Sequence, residues 1–321
     1  MRISKLRLIA AMVLAVPVSV CAAEYPDRPI RFVTPAQPGG TTDILARLTG
    51  ARLTDSLKQQ VIVDNRASAN GVVAGEIVAK SPPDGYTIFM AYHQHTINWA
   101  LNPRLPYHPV NDFTPITQLT EAGVILLVHP SAPVHNFREF LEWTRNYKGA
   151  LNFGSAGNGS GGHLAGELYK MMAGVKAQHI PYKGAGPALI DLAGGHYQFT
   201  FAGMLASQAF IKSGKLRPIA VTAPKRAPGF ENIPTVAESG LPGFEVVGWY
   251  GVIAPAKLPK PILTRLYTEF AAIIKQPDVQ QRILSEGASP IGSAPEDFRR
   301  FMLADLAKWA KVVKESGATA D

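Results

Sequence analysis

The sequence is short of several things at once. Its 321 residues contain one cysteine, Cys21. A single thiol makes no intramolecular disulfide framework and no thiolate zinc site. Only 17% of residues are charged and 9% are aromatic, against 46% hydrophobic. That balance excludes a disordered, self-repelling chain, and the length suggests about two domains with ample core. Glycine and proline are scattered without a three-residue period, which excludes a collagen-like chain. No fixed longer period stands out, which excludes a solenoid. Beyond the N-terminus no apolar run approaches the ~18 residues of a membrane span.

What is present begins with an export pattern. Arg2, Lys5 and Arg7 precede an apolar run from Leu8 to Val20, and the small residues Cys21, Ala22 and Ala23 precede Glu24. This is the basic, apolar and small-residue order of a secretory signal. It points to residues 1–23 as a signal peptide cleaved near Ala23. Lipid attachment at Cys21, which Val20 suits poorly, and a retained anchor are the alternatives. Cleavage removes three basic residues and no acidic one, so the formal charge falls from +8 to +5. The remaining basic residues include the isolated pairs Lys225-Arg226 and Arg299-Arg300, not a stripe interleaved with aromatics. Nucleic-acid binding is therefore not expected. The mature chain would hold no cysteine, which suits an oxidising compartment.

The rest reads as strand, glycine-bearing loop and helix, repeated. Strands are expected near 30–34, 61–63, 86–92, 124–128, 151–153, 177–181, 198–202, 216–221 and 246–253. Helices are expected after most of them, with Phe137 to Arg145 the plainest. Two helices, Pro261 to Lys275 and Pro295 to Glu315, close the chain. The last carries Phe298, Phe301, Met302, Leu306, Trp309 and Val313 on one stripe. Alternating β and α units imply mostly parallel sheets flanked by helices. Two extended crossings, near 115–128 and 245–254, suggest two lobes, with the terminal helices returning to the first.

In such sheets ligands bind beyond the carboxyl ends of strands. Three glycine-bearing loops lie there: 35–42, 154–162 and 182–186. Glycine lets backbone N–H groups approach a ligand, and a helix N-terminus offers unpaired donors with partial positive charge. Together they make an anion site that needs no arginine.

Other chemistries fit less well. Gly157-Asn158-Gly159-Ser160-Gly161-Gly162 has the form of a dinucleotide fingerprint, but no acidic residue stands at the end of the next strand, where His179 to Lys183 runs instead. Ser155 and Ser160 both miss the nucleophile-elbow pattern. A secreted α/β enzyme acting on a small carboxylate or ester remains the alternative, with Ser160 and His163 as the pair to inspect. His93 and His95, read as one strand end, would point to the same side, yet nothing completes a metal site. His95 is expected to donate a hydrogen bond to a ligand carboxylate. Neither cofactor nor metal is expected. Tyr92, Trp99, Tyr107, Tyr182, Trp249 and Tyr250 lie near strand ends or crossings, mostly as packing, with one or two free to stack on a ring-bearing ligand.

Several segments, taken in order, resemble one family. They are Pro35 to Asp43 with its Pro-Gly-Gly, Val63-Asp64-Asn65-Arg66, Pro83 to Thr87, Asn152 to Ser160, His163 to Glu167, Pro181-Tyr182-Lys183-Gly184 and Pro234 to Gly240. The order is similar to that of the Bug family, the substrate-binding proteins of tripartite tricarboxylate transporters. The resemblance spans essentially all of 24–321. It implies a two-lobed α/β periplasmic binding protein of the Venus-flytrap type (type II), not an enzyme. Two crossover strands would form the hinge. Lobe one would hold residues 24–123 plus 249–321, and lobe two residues 124–248.

The resemblance also implies a small carboxylate pinched between two loops. By position these are Gln37, Gly39, Gly40, Thr41, Thr42 and Asp43 in lobe one, and Ser155, Ala156, Gly157, Asn158, Gly159 and Ser160 in lobe two. His93, His95, Thr96, Lys183, Ala202 and Gly203 complete the expected site. Where the family commonly has an aspartate after the strand ending at Phe201, this sequence has Ala202-Gly203. That departure argues against a ligand ammonium. It leaves an aliphatic di- or tricarboxylate or an aromatic carboxylate. The implied partners are transporter membrane subunits or a sensor protein, and the implied state is a monomer.

Overall fold

A computed structural model describes residues 25–316, apart from Ala36, Gly39, Gly40, Lys183 and Glu286. The proposed signal, 1–23, lies outside the described residues. The chain opens with β1 (Ile30–Thr34), α1 (Thr41–Leu57), β2 (Val61–Asn65), α2 (Val72–Ala79), β3 (Thr87–Tyr92) and α3 (Gln94–Leu101). The four central residues of β3, Ile88 to Ala91, are all buried, as expected of a strand covered on both faces. Next comes β4 (Phe113–Val128), then α4 (Phe137–Arg145), β5 (Asn152–Ser155), α5 (Gly161–Ala173), β6 (Gln178–Pro181) and α6 (Ala185–Ala193). The chain continues through β7 (Phe199–Gly203), α7 (Met204–Lys212), β8 (Arg217–Val221) and β9 (Val247–Pro255). It closes with α8 (Lys260–Ile274), α9 (Pro277–Ser285), β10 (Ser289–Pro290) and α10 (Pro295–Ser316).

The strands form one ten-stranded mixed sheet with the path β2-β1-β3-β9-β4-β7-β5-β6, and β8 and β10 also pair with β4. Pairing is parallel at β1–β2, β1–β3, β5–β6 and β5–β7. It is antiparallel wherever β4 or β9 takes part. The long strand β4 changes partners in its middle. Phe113 to Gly123 pairs with β9, and Val124 to Val128 pairs with β7 and β8. The two parallel halves are thus joined through β4 and β9, the two extended crossings expected from the sequence.

Each half of the sheet has a core on both faces. Phe32, Leu53, Leu119 and Phe270 pack on one side of the first half, and Val33, Phe89, Trp249 and Phe298 on the other. In the second half, Phe140, Phe153, Tyr169 and Phe199 form one core, and Leu127, Leu189 and Tyr197 the other. Burying one such side chain contributes about 1.5–3 kcal/mol. Helix α10 serves both halves: Phe298 and Met302 join the first, Trp309 and Val313 the second.

Two local expectations are corrected. Three helices, not two, follow β9, because the short polar segment Pro277–Ser285 forms α9. Gln94 opens α3 with His93 as its N-cap, so the strand alternation that would set His93 and His95 side by side does not occur.

Candidate ligand-binding cleft

Strands β1, β3, β5 and β7 end toward one region, and three adjoining chambers lie there. The first, about 230 Å³, is walled by Ala156, Ser160, Gly161, Ala185, Phe201 and Trp309 among others. The second, about 270 Å³, includes Thr41, Thr120, Met204 and Tyr250 in its wall. Both share His93, Val124, Gly203 and Gly248. The third, about 190 Å³, lies among Pro35, Thr41, Thr42, Tyr92 and Tyr250, and shares Thr41 and Tyr250 with the second. The chambers therefore run from the 154–162 loop past the β4–β9 crossing to the 35–42 loop. Among the described residues that line them, none is Asp, Glu, Lys or Arg.

Four helices begin at this cleft. Thr41 is the first residue of α1, and Gly161 and Gly162 open α5. Ala185 opens α6, and Gly203 precedes α7. The caps of α6 and α7, Gly184 and Gly203, supply no side-chain acceptor, so first-turn N–H donors there are left for solvent or a ligand. Each N-terminus carries the equivalent of roughly half a positive charge. On α5 the Ser160 hydroxyl accepts from the His163 N–H. In lobe one, Thr34 Oγ1 donates to Thr42 Oγ1 at 3.0 Å, fixing the Thr42 side chain beside Pro35.

His93 stands where the first two chambers meet. Its N–H donates to the Trp249 carbonyl of β9 at 3.0 Å. Its Nδ1 is closed off from solvent and has no hydrogen-bond partner, because the ring packs against Gly248. Burial lowers its pKa to about 4, opposed weakly by Asp305. The imidazole is therefore neutral at pH 7, where it neither competes with the helix termini for an anion nor repels a cation.

Several expected site residues sit elsewhere. His95 is buried among Phe89, Tyr107 and Phe113, with Nε2 3.0 Å from the Pro109 carbonyl. Its assignment as a carboxylate donor is corrected: the helical turn at Gln94 rotates it into the lobe-one core. Thr96 donates instead to the buried Asp305 carboxylate at 2.6 Å. The Asp43 carboxylate is taken by Arg47 and by Asn65 Nδ2. Ser155 Oγ is held by the Gly157 backbone and by His179. Gln37 is exposed and lines none of the chambers. Gly157, Asn158 and Gly159 form the turn behind Ser160, where Gly157 and Gly159 take positive φ. Ala156, Ser160, Ala202 and Gly203 do reach the chambers, as do Thr41, Thr42 and His93. Gly39, Gly40 and Lys183 fall outside the described residues.

The rival chemistries have structural explanations. In the fingerprint-like loop, Gly162 lets α5 approach β7, since a Cβ there would collide with the Phe201 carbonyl. Ser160 and His163 form a helix cap, and the His163 ring accepts from the Gly159 N–H at 3.0 Å. Ser155 and His179 are 2.6 Å apart, but Ser155 is buried outside the chamber walls. Residues missed by sequence reasoning are the floor: Phe201, Trp309, Val124, Gly248 and Met204. They come from the crossing strands, β7 and the two helices α7 and α10. Of these, only Trp309 carried a signal, as part of the apolar stripe of the last helix.

A two-lobed α/β frame, with helix N-termini converging on a cleft whose described lining is uncharged, is the architecture of a solute-binding protein. The chain belongs to the TctC family, described as the tripartite tricarboxylate transporter family receptor, whose model matches residues 45–318. It is 34% identical to the protein BugT of Bordetella pertussis over 97% of this chain and 95% of that one. Rpa4515 of R. palustris, solved with adipate, is 37% identical with a TM-score of 0.78, over 93% of this chain and all of that one. MatC of Rhodopseudomonas palustris, solved with bound malate, is 32% identical with a TM-score of 0.74, over 90% of this chain and all of that one. The family is one of transporter receptors, and a further neighbour, 31% identical with a TM-score of 0.75 over 92% of this chain and all of that one, is the periplasmic binding protein BugD.

Proposed function

We propose that this chain is a periplasmic receptor that captures a small carboxylate lacking an ammonium group and presents it, as a monomer, to transporter membrane subunits. The carrying observation is the cleft itself. Helices α1, α5, α6 and α7 begin at connected chambers whose described walls hold no charged side chain. Helix-terminal donors favour an anion. An ammonium would find no carboxylate among the described lining residues, and burying an unpaired charge is costly. The adipate and malate bound by two relatives belong to the same chemical class.

In this reading Thr41 and Thr42 grip from lobe one, and Ala156, Ser160, Ala202 and Gly203 from lobe two, with His93 between them. Residues 24–123 plus 249–321 form the first lobe and 124–248 the second. They hinge where β4 changes partners, and ligand shifts the population toward the closed form. Residues 1–23 direct export. A thermal-shift screen of the mature protein tests the reading. Stabilisation by one or more carboxylic acids, and none by aspartate or glutamate, is expected. Stabilisation by aspartate or glutamate alone would sink the ammonium-free assignment.

A further inference from the structure

Behind the cleft lies a buried carboxylate that lines none of its three chambers. Asp305, on α10, is 3% exposed. Its Oδ1 accepts from the Trp309 indole N–H at 2.8 Å. Its Oδ2 accepts from the Trp249 indole N–H at 3.0 Å and from Thr96 Oγ1 at 2.6 Å. Lys308 Nζ is 3.4 Å from Oδ1. These donors come from three elements: α3, β9 and α10 itself. All three connect to the ligand chambers, one directly and two through His93. Trp309 forms part of the first chamber's wall. Trp249 accepts the His93 N–H through its carbonyl, and Thr96 lies in the first turn after His93. Trp249 belongs to the lobe-one core and Trp309 to the lobe-two core.

We infer that Asp305 is a positioning residue for the ligand cleft: from behind, one carboxylate fixes both the Trp309 wall and the turn that carries His93. The inference rests on reading the chambers as the ligand site. A charged acceptor suits the task, since hydrogen bonds to a carboxylate are shorter and about twice as strong as neutral ones. Two indoles and a hydroxyl give it three donors, so the buried charge is satisfied. Shifting it would disturb both sides of the cleft at once, because the same two oxygens hold side chains that pack in the cores of both halves of the sheet.

The test uses Asp305→Asn in the mature protein, where an amide N–H₂ replaces one acceptor. In ligand-free protein, ¹⁵N–¹H spectra should show the Trp249 and Trp309 indole resonances moving while Trp99 and Trp143 stay. The backbone amides of His93, Gly161 and Gly248 should move with them. Adipate and malate serve as binding probes, and affinity for whichever binds wild type should fall at least tenfold. A core variant with a matched loss of melting temperature, Phe140→Leu, should leave those cleft amides and the affinity in place. If neither probe binds wild type, the ligand assignment loses support, and the ligand-free spectra still decide the positioning. If Asp305→Asn does not fold, Thr96→Val removes one donor and should move the His93 amide alone among the three. Cleft amides that stay fixed, or unchanged affinity in folded Asp305→Asn, would overturn the inference.

Discussion

The Ser160 hydroxyl accepts from the His163 backbone N–H at 3.3 Å, so a serine and a histidine three residues apart make a helix cap instead of a catalytic pair. The cap leaves the Ser160 side chain at the wall of the first chamber. Ser160→Ala should therefore act twice. Loss of the cap should cost about 1 kcal/mol of stability, read as a lower melting temperature without ligand. Affinity for the bound carboxylate should fall by a further factor of about ten to a hundred, from one lost hydrogen bond to a charged group. Titration calorimetry at a temperature where both proteins are folded separates the two effects. Equal affinities would remove Ser160 from the ligand site.

Neighbouring glycines in the same loop should behave oppositely. A Cβ on Gly162 would collide with the Phe201 backbone carbonyl, whereas one on Gly161 would sit 3.8 Å from His93 Nε2, in open contact at the cleft. Gly162→Ala should destabilise the fold by about 1–3 kcal/mol, as overpacking does. Gly161→Ala should leave stability nearly unchanged and weaken ligand binding. Denaturant melts and calorimetry on the two variants check this. A stable Gly162→Ala protein would contradict the close approach of α5 to β7.

Three histidines give the fold a defined acid response. Burial lowers the pKa of His93 and His95 to about 4, and burial with His179 and Lys170 nearby lowers that of His163 to about 3. Their folded pKa values lie below the unfolded value of about 6.5. The unfolded chain therefore binds more protons below that point, and stability falls as pH falls. The contribution is fully present above pH 6.5 and declines between about 6.5 and 3. Urea melts across that range should show a slope approaching three protons per molecule near pH 5. A flat profile between pH 6.5 and 5 would contradict neutral burial of these rings.

Much of the frame was legible in the sequence because period and punctuation agree. Phe137–Arg145 is helical as expected, with Asn136 capping it, and the two crossings appear as β4 and β9. Within β4 only Val124 to Val128 is continuously apolar, and the change of partners falls where that run begins. Which strands pair on each side was not legible, since pairing is set by strands far away in sequence. The start of α3 was hidden for a different reason. His93-Gln94-His95 carries no cap signal, and its helix is held by tertiary contacts such as Thr96 with Asp305. That one turn separates His93, at the cleft, from His95, in the core. The glycine loops announced an anion site by composition, but the chamber floor is built from Phe201, Gly248 and Trp309, which only the fold brings together. Asp305 carries no sequence signal, since nothing local marks this polar residue of α10 as buried.

The claim at the centre of this account is that the cleft, with helix N-termini converging on it, captures its ligand as a carboxylate anion. Isothermal titration of the mature protein against a panel of aliphatic and aromatic carboxylic acids, each beside its neutral amide, tests it most directly. The account predicts saturable one-to-one binding of at least one acid and no measurable binding of the matching amide. An amide that binds as tightly as its acid, or a panel in which no acid binds, would contradict it.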